Sequence, residues 1–534
     1  MNPRLLGRAA AVSLLAVSWV SAQTRVAKPA VASPTSIALT KRPLAHRDYD
    51  AWRSIATPIV SRDGRYFAYS YMPEEGDGEL IVRDLKLGKE KNYSVGALPP
   101  PPLPDPDANP DAPPLVRNVR ISFTSDSRYV VCTTYPLKAD TDQAKKAKKK
   151  PEEMPKGGLV IVDLATLEST SIASVKNVQV PSKAGTWIAY AKESKDPAPP
   201  PAKPGVTRKE YGTDLVVRDL MSGQEKTFPN VTDYTVARDG KMLLYAVSSK
   251  TDSENGVFAM NAGARQETPW TLASGPGRYL KVTWDRQQSR AAFVSDRDDV
   301  AAASKAPRFK AYLWNRGPAA ATVAVDSSTT GLPATLTVSD KGALAFSRDG
   351  SRLFIPTAPP QAAPKAESDE TTPADEKVVV DIWNYKDDLV QPMQRVRAAG
   401  DRARTYRGVY QIADKRYTQV ADPTLRSAVF SDDGSLSVGF DDAPYRRMID
   451  YDTTYNDVYL IDGAGRRTLV QKKWRGGGFG AGFQWSPSGA YAMFFADGHW
   501  NVLNSKDGSV RNLTEKIPVK FFDEKNDSPA PAGS

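Results

Sequence analysis

A pattern of short apolar runs separated by polar turns recurs along the chain. Its clearest copy has a polar turn at residues 61–64, an alternating aromatic run at 65–71 and a second apolar run at 80–85. Short runs rich in Val, Ile, Tyr and Phe with turn residues between them are typical of antiparallel β-strands. Asp63 and Gly64 suit a tight reversal, because aspartate bonds nearby backbone amides and glycine accepts a positive φ.

The pattern occurs eight times at irregular spacing. With Gly64 as the reference, the equivalent turn positions are Ser127, Gly185, Gly240, Ser289, Gly350, Gly434 and Gly489. Third strands are predicted at residues 158–164, 214–220, 378–383 and 457–462. Small antiparallel sheets that cannot bury both faces alone stack radially into a β-propeller, and so many similar units argue against a two-sheet sandwich. The prediction is an all-β chain, a β-propeller of about eight four-stranded blades with Pro/Lys-rich loop inserts, and helix only in the leader.

The first 22 residues have the pattern of an export signal. Arg4 and Arg8 precede an apolar stretch at 9–19, and small residues up to Ala22 suit cleavage before Gln23. We expect a signal peptide at 1–22, a flexible segment at 23–36, the propeller at 37–522 and a disordered tail at 523–534, interpreted as a truncation point. No later run reaches the roughly 18 apolar residues of a membrane helix. These features predict a periplasmic or secreted protein without a membrane span.

Inserts rich in Pro and Lys separate some of the predicted strands. They lie at residues 98–114, 139–157, 197–204 and 358–373. Such segments bury little apolar surface, so we expect solvated, extended loops on the rim. Much of the net charge of +10 lies in the Lys run at 145–150 instead of a stripe interleaved with aromatic residues, which argues against nucleic-acid binding. A contact of this run with an anionic polymer or lipid is the alternative.

Few residues have the chemistry for catalysis or metal binding. The two histidines, His46 and His499, fall in a leading segment and a turn. The closest approach to a nucleophile elbow, residues 484–488, lacks both glycines and has Pro487 after the serine. The single cysteine, Cys132, is expected to be buried, and it cannot complete a zinc ligand set. We therefore expect no catalytic, cofactor-binding or metal-binding residue in this chain.

A cluster of Tyr and Asp residues occupies positions 450–457. Tyr451, Asp452 and Tyr455 could line a channel and contact a peptide. The alternative is an ordinary loop whose tyrosines pack between blades. These three residues are the only candidate site that the sequence provides.

Several segments resemble those of one protein family. They are residues 39–44 with 48–55, 76–80, 148–156, and 381–387 with 391–394. These segments are similar to the N-terminal propeller of bacterial exported peptidases of the prolyl oligopeptidase family, and the likeness runs from residue 37 to residue 527. In that family the propeller restricts access to a C-terminal α/β-hydrolase domain and helps to hold the peptide.

The resemblance implies a non-catalytic propeller like the substrate-gating domain of a prolyl oligopeptidase-type serine peptidase. Its implied partners are a peptide substrate or a hydrolase domain. A Gly-x-Ser-x-Gly elbow does not occur after the last repeat, which departs from the family pattern. The alternative is an independent periplasmic propeller that binds peptides or proteins.

Overall fold

The computed structural model describes residues 44–50, 52–99, 118–194, 210–262, 268–302, 304, 306–360, 382–475, 482–519 and 521. The expected signal peptide at 1–22, the segment 23–36, the insert 197–204 and the tail 523–534 lie outside these residues. The chain divides into two compact units, Met1–Asp48 and Tyr49–Ser534, and every strand of the described residues lies in the second. No helix among the described residues is long and apolar enough to cross a membrane.

The described chain is mostly β, with seven antiparallel sheets and few helices. The first sheet contains β1 (Arg53–Val60), β2 (Tyr66–Pro73), β3 (Asp77–Asp84) and β4 (Glu90–Ala97). The second contains β5 (Ile121–Phe123), β6 (Tyr129–Thr134), β7 (Gly158–Asp163) and β8 (Glu168–Ala173). The third contains β9 (Val175–Gln179), β10 (Trp187–Lys192), β11 (Thr213–Asp219), β12 (Glu225–Val236), β13 (Met242–Val247), β14 (Gly256–Asn261) and β15 (Trp270–Ser274).

The remaining four sheets follow in chain order. The fourth contains β16 (Tyr279–Trp284), β17 (Arg290–Ser295), β18 (Lys310–Asn315) and β19 (Thr322–Val325). The fifth contains β20 (Thr337–Val338), β21 (Ala345–Phe346), β22 (Arg352–Ala358), β23 (Tyr406–Gln411) and β24 (Arg416–Gln419). The sixth contains β25 (Ser427–Phe430), β26 (Ser437–Asp441), β27 (Tyr455–Ile461) and β28 (Arg467–Arg475), and the seventh β29 (Gln484–Trp485), β30 (Tyr491–Ala496), β31 (His499–Asn504) and β32 (Val510–Asn512).

The described helices are short. They are α1 (His46–Asp50), α2 (Lys138–Lys146), α3 (Arg297–Ala301) and α4 (Gln391–Arg402), with 3₁₀ segments at Pro151–Glu153, Asp252–Glu254 and Ala443–Asp450. The expectation of helix only in the leader is therefore wrong. Within the Lys-rich insert, α2 replaces the expected extended loop because it buries Ala144 and Lys138 pairs with Glu75 and Asp142.

Apolar clusters fill the spaces between consecutive sheets. Central strands such as β6, β7, β10 and β13 are buried at four or five successive positions, so both faces of each sheet are covered. One cluster joins the first and second sheets, and others join the second to the third, the third to the fourth and so on to the seventh. The core thus lies between sheets stacked in chain order.

The third sheet has seven strands because β12 runs through two of the predicted repeats. Residues 225–231 of β12 pair with β11, and residues 231–236 pair with β13. The seven sheets do not confirm the count of eight blades, which stays a prediction.

The predicted third strand at 378–383 is wrong. The third strand of the fifth sheet is β23, which pairs with β22 over six residues. Ile382 and Trp383 are exposed and lie outside any strand, and residues 378–381 are not among those described. The apolar character of Ile382 and Trp383 did not distinguish them from residues of a strand.

The predicted turn glycines adopt the expected left-handed backbone. All six glycines at the reference position have φ between 68° and 112°, and Ser127 has φ 57°. The fifth turn is different, since the left-handed residue is Gln288 (φ 62°) and not the predicted Ser289. The Gln288 N–H donates to the Asp285 carbonyl, as the Gly64 N–H donates to that of Ser61. The reference position of this repeat therefore lies one residue earlier than predicted.

The two turns without glycine use the side chain at this position to bond the preceding turn. Ser127 Oγ accepts the Asp63 N–H at 3.2 Å, and Gln288 Oε1 accepts the Asp239 N–H at 3.0 Å. Asp63 and Asp239 both precede the glycine of their own turn. A hydrogen bond between neighbouring turns accompanies the strained backbone at both places.

We expect Gln288→Ala to lower the free energy of unfolding by about 1–2 kcal/mol, because it leaves the Asp239 N–H unpaired and keeps a Cβ at positive φ. Gln288→Gly should lose about 1 kcal/mol less, because it relieves that backbone strain. Ser127→Ala and Ser127→Gly form the matched pair at the second turn. Urea denaturation of the four variants measures the difference. Equal losses for Ala and Gly at Gln288 would contradict the assignment of the turn position.

Candidate binding site

A cavity of about 870 Å³ lies among the inner strands of four consecutive sheets. Its wall combines the last residues of β12 and β16 with β21, β25 and the turns that follow them. Phe354 of β22 and Arg407 of β23 complete the wall. Stacking of the sheets in chain order therefore brings together residues that are far apart in the sequence.

Charged side chains of both signs line this cavity, with a positive excess. The arginines are Arg238, Arg286, Arg348 and Arg407, and the aspartates are Asp285 and Asp432. Both aspartates already have partners. Asp285 accepts the Ser289 and Arg290 N–H groups of its own turn, and Asp432 pairs with Arg348. Neither carboxylate neutralises the other three arginines.

Arg286 and Arg407 have no carboxylate within ion-pair distance among the described residues. The Arg407 guanidinium lies over the Phe430 ring, 6.0 Å from its centroid. Arg407 is exposed on β23, and the wall that covers part of its side chain removes some of its hydration, which lowers its pKa. Arg238 donates from Nε to Ser182 Oγ at 3.3 Å. The cavity thus contains guanidinium groups with unused donors.

Aromatic side chains form the apolar part of the wall. Phe354 and Phe430 pack with their ring centroids 4.7 Å apart, beside Phe346 and Trp284. The buried Nε1 of Trp284 has no hydrogen-bond partner among the described residues. Aromatic surface with a few convergent polar groups is the usual composition of a ligand site.

A smaller cavity of about 280 Å³ lies among β9, the middle of β12 and residue Arg120. Lys176 and Asp233 contribute to its lining. Burial raises the pKa of Asp233, although its Oδ2 accepts the Val282 N–H at 3.2 Å. Its lining contains fewer aromatic side chains than that of the larger cavity.

The three predicted contact residues lie around the start of β27. Tyr455 donates its hydroxyl hydrogen to Asp452 Oδ2 at 2.9 Å, while the side chain of Tyr451 is 75% exposed. Tyr455 also packs edge-on against Tyr445 and under Lys473. None of the three contributes to the lining of either cavity, and their contact with a peptide stays a prediction.

Sequence reasoning missed the arginines of the cavity, although part of the signal was present. Arg238, Arg286 and Arg348 each stand two residues before the left-handed residue of their turn, as Arg62 does in the first repeat. A repeated side chain at one turn position lies at the same end of every sheet, so the recurrence of Arg marks one surface. Arg407 has no such signal, because it lies on a third strand.

The other chemically notable residues are dispersed. His499 Nδ1 lies 3.2 Å from Thr514 Oγ1, and Ser486 Oγ accepts the Tyr491 N–H. Cys132 is buried, as expected, and burial raises the pKa of its thiol to about 12. No group of three or more His, Cys, Asp or Glu side chains suited to a metal converges in the described parts of the chain.

No family model matches the sequence, and no curated protein matches it. Solved structures are similar to it at low identity. A prolyl endopeptidase is 15% identical with a TM-score of 0.33, and the match covers 85% of this chain and 54% of that one. A eukaryotic initiation factor is 9% identical with a TM-score of 0.38, covering 86% and 88%. The β-propeller domain of the trilobed protease from Pyrococcus furiosus is 8% identical with a TM-score of 0.29, covering 79% and 99%.

The chain spans about half the length of the prolyl endopeptidase that it matches. Each of the three TM-scores is below 0.4. Such similarities do not assign a function to this chain. The function proposed below is inferred from the cavity.

Proposed function

We propose that this chain is a non-catalytic β-propeller of about eight blades that holds peptides, like the substrate-gating domain of a prolyl oligopeptidase-type serine peptidase. The observation that carries the proposal is the cavity of about 870 Å³ among the inner strands. Its volume is in the range of small-ligand and peptide sites. The stacking of each sheet on the next supports the propeller, with the seven-stranded sheet counted as two blades.

In this proposal the peptide enters among the inner strands and contacts both the aromatic wall and the arginines. A hydrolase domain, in the same protein or a separate one, would then receive the peptide. The pattern of an export signal predicted at residues 1–22 supports a place in the periplasm or outside the cell.

Direct binding of fluorescent peptides to the purified chain tests the proposal. We expect saturable binding by fluorescence anisotropy, no cleavage of the peptides and no labelling of any serine by a fluorophosphonate, because no activated serine is expected. Stoichiometric labelling of one serine would contradict the absence of catalysis.

A blocking variant tests the location of the site. Val429 lines the cavity and is 41% exposed, so Val429→Trp should fill part of the space and weaken peptide binding about tenfold or more. Val323→Trp is the matched control, because Val323 is 43% exposed on β19 and does not line the cavity. Equal affinities for the two variants would place peptide binding elsewhere.

A further inference from the structure

We infer that the ligand of this cavity carries a carboxylate and that Arg286 and Arg407 bind it. The inference rests on the proposed peptide-binding function and names the chemistry that the site selects. The carboxylate could be the free C-terminus of a peptide or the side chain of an Asp or Glu. Both present the same two oxygens, and the experiment below separates them.

Arg286 and Arg407 differ from the arginines that pair with a carboxylate of their own sheet. Arg65, which follows the first turn, pairs with Asp84 at 2.8 Å, and Arg128 pairs with Asp163 at 3.0 Å. Those arginines are part of the internal structure of one sheet. Arg286 and Arg407 instead line an open cavity without such a partner among the described residues.

The position of Arg407 prepares it for an anion. The guanidinium lies over the Phe430 ring, and its N–H groups donate to no described residue, so they are available to a ligand. A planar guanidinium can donate two parallel hydrogen bonds to one carboxylate. Arg407 is exposed on β23, so a ligand in the cavity can reach its guanidinium group.

Aromatic side chains extend the site. Phe346, Phe354 and Phe430 provide apolar surface next to the cations. This combination fits a carboxylate that lies beside an apolar side chain. A peptide supplies both groups if its C-terminal residue is apolar or if an apolar residue is next to an Asp or Glu.

The test uses four fluorescent peptides that share one apolar sequence. They carry either Glu or Gln at one position and either a free or an amidated C-terminus. Wild-type chain should bind at least one carboxylate-bearing peptide about tenfold more tightly than the amidated Gln peptide. If the peptides with Glu bind more tightly than those with Gln, the bound carboxylate is a side chain. If the peptides with a free C-terminus bind more tightly than the amidated ones, the bound carboxylate is the C-terminus.

Arg407→Gln and Arg286→Gln should each reduce this preference to about threefold or less. Arg407→Lys should retain part of the preference, because it keeps the charge without the planar fork. Arg511→Gln is the control, since Arg511 lies on β32 outside the cavity lining. The denaturation midpoint of each variant establishes that it is folded.

The outcomes separate the inference from the proposed function. Equal binding of all four peptides would overturn the inference and leave the peptide-binding function standing. Failure of every peptide to bind would overturn both. A full preference in both arginine-to-glutamine variants would overturn the assignment of these two residues.

Discussion

Replacing Trp314 with alanine should lower the free energy of unfolding by about 3–5 kcal/mol, the usual loss for a large buried aromatic residue. Trp314 is 1% exposed, and its Nε1 donates to the Ala319 carbonyl at 2.8 Å. Its ring packs between those of Trp270 and Trp284, with centroid distances of 6.1 and 5.9 Å. The substitution removes the central ring of this group and leaves a space that the rigid strands cannot close. Urea or thermal denaturation measures the loss.

The same substitution should also weaken peptide binding by the molecules that remain folded. Trp284 lines the cavity, and it loses the ring that it packs against when Trp314 is removed. Trp314→Phe is the matched control. It keeps an aromatic ring and loses the hydrogen bond, so about 1–2 kcal/mol is expected. A loss below about 1 kcal/mol for the alanine variant would contradict tight packing at this position.

Gly434→Ala should lower the free energy of unfolding by about 2–4 kcal/mol, from backbone strain and overpacking together. Gly434 has φ +72°, which side chains rarely adopt. A Cβ there would lie 2.7 Å from Phe354 Cζ and 2.8 Å from Cε1. Phe354 is buried and packs against Phe430, so displacing its ring would disturb that pair. Chemical denaturation measures the change.

Gly64 provides a control with the same backbone and no contact. Its φ is also +72°, but nothing lies within 4 Å of an added Cβ. Gly64→Ala should therefore cost only the strain, about 1–2 kcal/mol. If both variants lost the same free energy, the Phe354 ring would have to move aside at no cost.

The strands and most of the turns could be predicted because their signals are local. In the first, sixth and seventh turns a serine hydroxyl bonds the aspartate two residues later, and the glycine N–H bonds the serine carbonyl. Four consecutive residues contain the whole motif, so they can be recognised wherever they occur. The fifth turn has Gln288 in place of glycine, and glutamine is not typical of such turns. The left-handed position was therefore predicted one residue too late, at Ser289.

Features that depend on distant contacts could not be predicted. Pro229 and Asn230 resemble a turn, yet they lie within β12, where Asn230 has φ 57° at an irregularity in the pairing. Helix α2 lies in a Lys-rich segment whose composition favours a solvated loop. The cavity depends on the stacking of four sheets, which places Arg407 beside Phe430 across a sheet boundary. Nothing near Arg407 in the sequence indicates this neighbour.

The continuity of β12 affects how the molecule can open. Where a loop joins two stacked units, one unit can lose its edge strand while the other stays intact. In the third sheet, separating β11 from β12 frees residues 225–231 of the same strand whose last residues, Thr235 and Val236, line the cavity. Local unfolding of the β11–β12 pairing is thus transmitted along a single backbone to the cavity wall. A ligand that holds Thr235 and Val236 in place would slow hydrogen exchange in β11, although it contacts no residue of that strand.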